Sequence, residues 1–500
     1  MEVSFYFFSI IIISAALRWL PHFIAPHGVG VDHWFWKAYI EEHREKRQFP
    51  PSLPQFLLES HQWYPPVFPM LMERIPKSLF DKNSHFIAIA IDLLRLALLM
   101  VAAYLLGGQV NSLIGAGMVY ALTPVLISYN VQLNPRGLGA LFLDIIVLLL
   151  VWLLWHEGMF WGWILVGLVS GLLLLTHKMS TQLFWFLSIV SGLWLQDWRL
   201  LMLVPVSIVS ALILSKGFYL NVLKAHWDIV SFWNRNWPWL TVHPVRESPV
   251  YATPENKTTT KFFKPGLAGL MHRLQYLVGL NPWGWVVFIA SLWMYGGDPM
   301  HTNLTNEDGW MVQWLGLILL FTLMTTFIPF MRCLGQGYLY NYNAAFPAGL
   351  LVAMIWGGLK HDIVVEYLLY GTVLFCILGI GFYLWKLKGS KTLKVDSDMN
   401  DALSYLKSLP NGAVMCFPLH WSDVAAYKTQ KPVLWGAHGY GFKLVEAVWP
   451  RILKPISEIV KQHQIRYLLT YEGYLPENFL KELQIGSLVS FETYRLYILE

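Results

Sequence analysis

Charge is the first thing this sequence is short of. Asp, Glu, Lys and Arg supply 13% of its 500 residues and hydrophobic types 56%. A soluble chain carries about twice that charged share, so a soluble globular enzyme is excluded and a lipid-embedded protein is indicated. Cysteine is nearly absent as well. Cys333, Cys376 and Cys416 are too few for a disulfide framework and lack metal-ligand spacing, which leaves them as core residues. No HExxH, P-loop, GxSxG or paired CxxC occurs, so zinc-hydrolase, nucleotide-driven and serine-hydrolase chemistries lack their signatures. The first apolar run, Val3 to Leu20, has no small-residue cleavage site behind it and reads as a membrane span.

Tryptophan, by contrast, is abundant: 25 residues within an aromatic share of 16%. Many flank apolar runs, as at Trp152/Trp155, Trp161/Trp163, Trp194/Trp198 and Trp310/Trp314, the placement of interfacial anchors. Runs long enough to cross a bilayer occur near 3–22, 85–106, 110–128, 138–155, 160–176, 179–196, 198–215, 283–297, 309–330, 344–360 and 363–386, which predicts about eleven spans. With residue 1 on the cytoplasmic side, the long connections 23–84 and 216–282 and everything after 387 emerge on the outer face. The connections on the other face are short, and their scattered basic residues, such as Arg199 and Lys360, support that orientation only weakly.

Past Trp385 the composition turns polar. A linker at 387–397 leads into 398–500, where helices near 398–408, 422–428, 451–463 and 476–483 alternate with strands. Those strands are Gly412 to Pro418, Pro432 to Trp435, Ile465 to Tyr471 and a pair near 487–499, the pattern of a small Rossmann-like or open α/β sheet. The expected fold class is a polytopic α-helical membrane protein, its membrane domain over 1–386, followed by a C-terminal soluble α/β domain. No GxGxxG follows the first strand, so no dinucleotide is expected. GAHGYG (Gly436 to Gly441) is a glycine-rich loop without further signature. In the second long connection, Leu220 to Trp233 has the pattern of an amphipathic interfacial helix, and Ala252 to Gly266 reads as a loop able to cover a site.

The outer-face connections collect Asp32, His33, Glu41, Glu42, Tyr64, Asn134, Arg136, His177, Lys178, Arg332, Tyr338 and Tyr340. Several lie within a residue or two of a span end, so they converge on the membrane boundary. Asp32, in GVDHWFW (Gly30 to Trp36), is a carboxylate suited to taking a proton from an incoming hydroxyl. Arg136 opens the fourth span, where a helix N-terminus and a guanidinium suit a phosphate; snorkelling to the interface is the plainer reading. His177 and Lys178 form a two-residue turn in LTHKMSTQ, suited to phosphate or sugar. Tyr338 and Tyr340, in the polar stretch from Arg332 to Pro347, offer hydroxyls for the same contacts or belong to an interfacial belt. Asp92 and Arg95, at i and i+3 inside the second span, read as an ion pair. Asp144 and Glu366 sit where a transporter would place a coupling carboxylate, without a second acidic partner.

Taken together, the early Asp32, the YPPVFP segment (Tyr64 to Pro69), the many spans and the C-terminal α/β segment resemble the GT-C membrane glycosyltransferases, most of all the protein O-mannosyltransferase and aminoarabinose-transferase-like branch. The resemblance covers the whole architecture and rests on short motifs. It implies Asp32 as the catalytic acidic residue, acting as general base or helping to hold a metal. It also implies a polyprenyl-phosphate sugar as donor, and a leaving phosphate stabilised by Arg136, Lys178 and Arg332. Many relatives carry a second acidic residue where this chain reads SYNVQLNPRG (Ser128 to Gly137), so a divalent metal is an open expectation, with Glu41 or Glu42 as substitutes. The expected function is inverting transfer of a sugar to a glycan, lipid or protein acceptor at the outer face of the cytoplasmic membrane. No nucleic acid is expected. The alternatives are a GT-C ligase moving a lipid-linked oligosaccharide and a transporter or flippase without chemistry; the latter calls for internal repeats and paired intramembrane charges.

Overall fold

The computed structural model describes residues 2–26, 30, 32–58, 61–155, 160–239, 244–252, 266–294, 307–359, 363–390, 395–436 and 441–500. Lys360 lies outside them, as do the polar tract from Ala252 to Gly266 and the GAHGYG loop except at their ends. The chain opens with α1 (Glu2–Ile24). The first long connection folds into α2 (Asp32–Lys46) and the short α3 (Val67–Met72). Apolar helices follow: α4 (Lys77–Gly107), α5 (Val110–Ala121), α6 (Pro124–Tyr129), α7 (Arg136–Trp155), α8 (Phe160–Leu174), α9 (Lys178–Leu195) and α10 (Trp198–Leu214). The second long connection holds α11 (Tyr219–Asn236) and α12 (Gly266–Leu280). The bundle is completed by α13 (Pro282–Met294), α14 (Glu307–Phe327), α15 (Ala345–Leu359) and α16 (Ile363–Gly389).

Every apolar run contains a helix. The third is broken at Leu122 and Thr123, where Pro124, lacking an N–H, restarts the chain as α6. Among the described residues, five helices are long and apolar enough to cross a membrane, drawn from α1, α4, α7, α14 and α16. A sixth arises if α12 and α13, bent by 84°, make one span. The chain is a helical membrane protein by this measure. Its tryptophans divide between two environments. Trp161, Trp194 and Trp198 are exposed as interfacial anchors should be, whereas Trp310 and Trp314 are fully buried, because α14 runs through the centre of the bundle against α9, α13 and α15.

Four charged groups inside the bundle pair with one another. Arg18 of α1 donates from Nε to Asp92 of α4 and from Nη1 to the Ala121 carbonyl (3.2 Å); Tyr120 donates to Asp92 (2.7 Å). Arg95, one turn after Asp92, lies 3.7 Å from it and reaches Asp144 of α7 at 2.6 Å. The i, i+3 pair is therefore also interhelical, and Asp144 is occupied by Arg95. Two guanidinium groups against two carboxylates leave this network neutral, which is how ionic groups persist in apolar surroundings.

The C-terminal residues form α17 (Ser397–Ser408), β1 (Ala413–Cys416), α18 (Ser422–Thr429), α19 (Ile456–His463), β2 (Ile465–Tyr471), β3 (Ile485–Ser490) and β4 (Tyr494–Leu499). The sheet runs β1-β2-β4-β3, its first pair parallel and the others antiparallel. Strand alternation divides its two faces. Val414 and Cys416 pack into a core shared with Trp34, Phe35, Trp36 and Tyr39 of α2. Ala413, Met415 and Phe417 face a second core that takes in Ala225, Ile229 and Phe232 of α11. The segment at Pro432 to Trp435 contributes one bridging residue, Val433, rather than a strand. Val433 pairs with both Val414 and Phe56, with Leu57 N donating to its carbonyl at 3.0 Å. Both long connections are thus bound to the sheet, one on each face. Accordingly α11, patterned for an interface, buries its apolar side on the C-terminal segment.

Candidate functional site

Asp32 begins α2, and the chain reaches it through Gly30, whose φ of +78° is left-handed. A Cβ at Gly30 would collide with the side chain of Gln132. Only glycine lets that side chain close in, and Gln132 Nε2 donates to Asp32 Oδ2 at 3.5 Å. The turn bearing Gln132 is shaped by Asn134, which donates to the carbonyls of Tyr129 and Gln132 and accepts from the Arg136 N–H at 3.0 Å. Arg136 thereby opens α7 with its guanidinium over the ring of Tyr129 at 4.6 Å. Its Nε and Nη1 are buried without a hydrogen-bond partner among the described residues.

The third element is the turn between α8 and α9. Val67 N of the YPPVFP segment donates to Leu175 O at 2.9 Å, tying the first connection to this turn. Gly139 of α7 lets the turn approach closely, since a Cβ there would meet His177 Cβ at 2.7 Å. His177 caps α9: its Nδ1 accepts from Ser180 N at 3.4 Å and lies 3.1 Å from Ser180 Oγ. The ring proton is thereby assigned to Nε2, and burial holds the imidazole well below the usual histidine range. Lys178 is half-buried beside it. Burial, opposed by Asp32 and aided by Arg136, pulls its amine down to about 8. His226 of α11 acts on His177, and is itself held near 3, chiefly by burial and further by Lys178.

Asp32, Arg136, His177 and Lys178 are therefore one electrostatic unit, built from three connections far apart in sequence. A carboxylate stands among cations that exceed it in number, and Arg136 has donors to spare. Such a unit can accept a proton at one point and hold an anion beside it. Tyr338 adjoins it through Tyr129, with which it shares a hydrogen bond.

The other predicted residues lie elsewhere. His33, the next residue of α2, turns away: its Nδ1 accepts from Leu133 N at 3.4 Å, and burial holds it near 3. Tyr64 packs its ring against Phe35, Trp36 and Tyr39. Arg332 stacks on Trp237 at 4.9 Å and donates to Thr326 O, next to Arg273 rather than Arg136. Tyr340 is fully buried and donates to Gln182 and to Leu334 O (2.8 Å). Glu41 accepts from Tyr427 at 2.7 Å and Glu42 pairs with Lys46; neither is brought to Asp32. Among the described residues no three His, Cys, Asp or Glu are grouped to hold a metal. With Asp32 surrounded by cations, this donor set does not fit a divalent ion. Gln132, Tyr129 and His226 carry no sequence signal of their own; SYNVQLNPRG stands out for the acids it lacks, and α11 reaches the cluster only through the tertiary fold.

No protein-family model matches the chain, and no curated protein matches it in sequence. Solved structures do match in fold. ArnT from Cupriavidus metallidurans in the apo state superposes with a TM-score of 0.59 at 11% identity, over 99% of this chain and 98% of that one. The archaeal oligosaccharyltransferase AglB from Archaeoglobus fulgidus, in complex with an inhibitory peptide and a dolichol-phosphate, gives 0.53 at 12% identity over 94% and 69%. The same organism's oligosaccharyltransferase tethered to an acceptor peptide gives 0.54 at 11% over 98% and 74%. Both proteins are GT-C membrane glycosyltransferases. The chain shares their fold.

Proposed function

We propose that this protein is an inverting membrane glycosyltransferase that moves a sugar from a polyprenyl-phosphate donor to a glycan, lipid or protein acceptor at the outer face of the cytoplasmic membrane. The observation that carries the proposal is the placement of Asp32 against Lys178, His177 and Arg136 in a GT-C fold. That fold is also that of a protein solved in complex with a dolichol-phosphate. On this reading about eleven helical segments lie in or across the bilayer, with both long connections and the C-terminal segment on the outer side.

The chemistry follows from charge. The acceptor oxygen attacks the anomeric carbon and passes its proton to the Asp32 carboxylate. The bond from that carbon to the phosphate oxygen breaks, and polyprenyl phosphate leaves with the electron pair. Lys178 and the unpartnered Nε and Nη1 of Arg136 stabilise the charge that develops there. Donors preorganised where charge appears are the largest rate term of such sites. Asp32 is poised on the acceptor side, its carboxylate oriented by Gln132.

The test is transfer of radiolabelled sugar from a panel of polyprenyl-phosphate sugars, in membranes containing the wild-type chain or Asp32→Asn at matched expression. Transfer by the wild type that is lost in the variant is expected and names the donor. Equal transfer by both removes Asp32 from the reaction.

A further inference from the structure

We propose that the cavity enclosed by α1, α2 and the start of α4 is a second ligand site, taking the phosphate-bearing headgroup of a membrane lipid, separate from the Asp32 cluster. The cavity has a volume of about 400 Å³, within the range of small-molecule sites. Its rim is aromatic and faces outward. Trp19 and Phe23, 45% and 69% exposed, lie one turn apart on α1 with rings 5.2 Å apart, and Phe86 of α4 closes on Trp19 at 5.5 Å. These are the exposed faces of two span-length apolar helices near their ends, so the mouth opens toward lipid at the depth of headgroups.

Behind that rim the wall changes character. The rings of His22 and His85 lie 4.8 Å apart, and His22 Nε2 has no hydrogen-bond partner among the described residues. Lys37 is buried; its ammonium donates to the Asp81 carbonyl at 3.5 Å and lies over the Tyr427 ring at 5.1 Å. Lys82 lines the same space from its exposed edge. Of the charged groups that line the space, Lys37 and Lys82 face one carboxylate, Asp81, leaving one positive charge over. An apolar mouth with a cationic, donor-rich floor is complementary to a lipid phosphate. The same floor suits a soluble phosphate ester, which has no use for the aromatic rim.

Separation from the reaction cluster is built into α2. Consecutive residues of a helix point about 100° apart. Asp32 accordingly faces Gln132 and the Lys178 cluster, while His33 lines the cavity. The first turn of α2 is the partition between the two.

Binding, rather than transfer, is the readout, so the result is independent of the glycosyltransferase reading. The chain is reconstituted in phosphatidylcholine nanodiscs doped with phosphatidylglycerol, and native mass spectrometry counts the retained phosphatidylglycerol. The protein variants are wild type, Lys82→Glu with His85→Ala, and Arg136→Ala. Lys82 is exposed at the rim, so its replacement leaves the fold intact, and Lys82→Arg serves as the conservative control. Loss of one charge-assisted contact predicts about tenfold lower retention in the double variant, with retention kept in Lys82→Arg and Arg136→Ala. Unchanged retention in the double variant overturns the proposal. So does loss in Arg136→Ala alone, which would put the lipid at the reaction cluster. Displacement of the lipid by millimolar glycerol 3-phosphate would make the ligand a soluble phosphate ester and overturn the assignment to lipid.

Discussion

Two regions of this molecule set arginine against aspartate, and their charge balance differs. Within the bundle, Arg18 and Arg95 meet Asp92 and Asp144, two cations for two anions, with Tyr120 completing Asp92. At the polar end of the bundle, the Asp32 carboxylate faces two cations, Arg136 and Lys178. A neutral, matched network joins helices, because each charge has its desolvation offset by its neighbour. A cluster with surplus positive charge is incomplete until an anion arrives. Residue type is shared between the two regions; stoichiometry separates their roles.

The sharpest way to break this comparison is to exchange outcomes between the two aspartates. Asp92→Ala leaves buried guanidinium groups uncompensated and is expected to cost about 3–5 kcal/mol, read as a lower melting temperature in detergent and poor yield. Asp32→Asn is expected to lower transfer by about 10²–10⁴-fold, the range for a general base, with melting unchanged. Equal melting losses would make Asp32 another structural ion and erase the distinction.

Next in size, Lys178→Met is expected to reduce kcat by about 10²-fold, as loss of one stabilising donor does. The pH profile sharpens the point. The Lys178 amine is cationic below its pKa, which burial has brought down to about 8; in the free enzyme the cation is present below that pH and lost above it. The ratio kcat/KM is therefore expected to fall as pH rises through about 8, and Lys178→Arg to remove that limb, because a guanidinium stays charged. A falling limb that persists in Lys178→Arg belongs to another group. Gln132→Ala, which removes one long hydrogen bond to Asp32, is expected to cost about tenfold or less in transfer. Smallest of all, Tyr340→Phe removes a buried hydroxyl bonded to Gln182 and Leu334 O. It is expected to cost about 1 kcal/mol of stability and nothing in transfer.

Much of the architecture is legible in the sequence because it depends on local patterns. Apolar runs and their breaks mark the helices of the bundle, and short strand-type runs alternating with helical segments mark the strands from Ala413 onward. Legibility fails where a residue's partner is distant. Trp310 and Trp314 have the same flanking positions as Trp194 and Trp198, yet only the helices packed around α14 place them in the core. Pro432 to Trp435 has strand composition but divides its hydrogen bonds between Val414 of β1 and Gln55 to Leu58, residues of another connection.

The candidate site divides the same way. Asp32, Arg136, His177 and Lys178 are conspicuous as polar residues at the ends of apolar runs, and chemistry alone groups a base with phosphate-binding cations. Arg332 and Tyr340 look equally suitable, and the fold assigns one to Trp237 and Thr326 and the other to a buried pair of acceptors. By itself the sequence determined a lipid-embedded helical protein with polar chemistry at one face, since hydrophobicity and periodicity act within a few residues. Which of those polar groups meet was decided by the tertiary structure alone. Charge interactions act through space, and Asp32 and Lys178 come within reach of each other only when three connections close on one another.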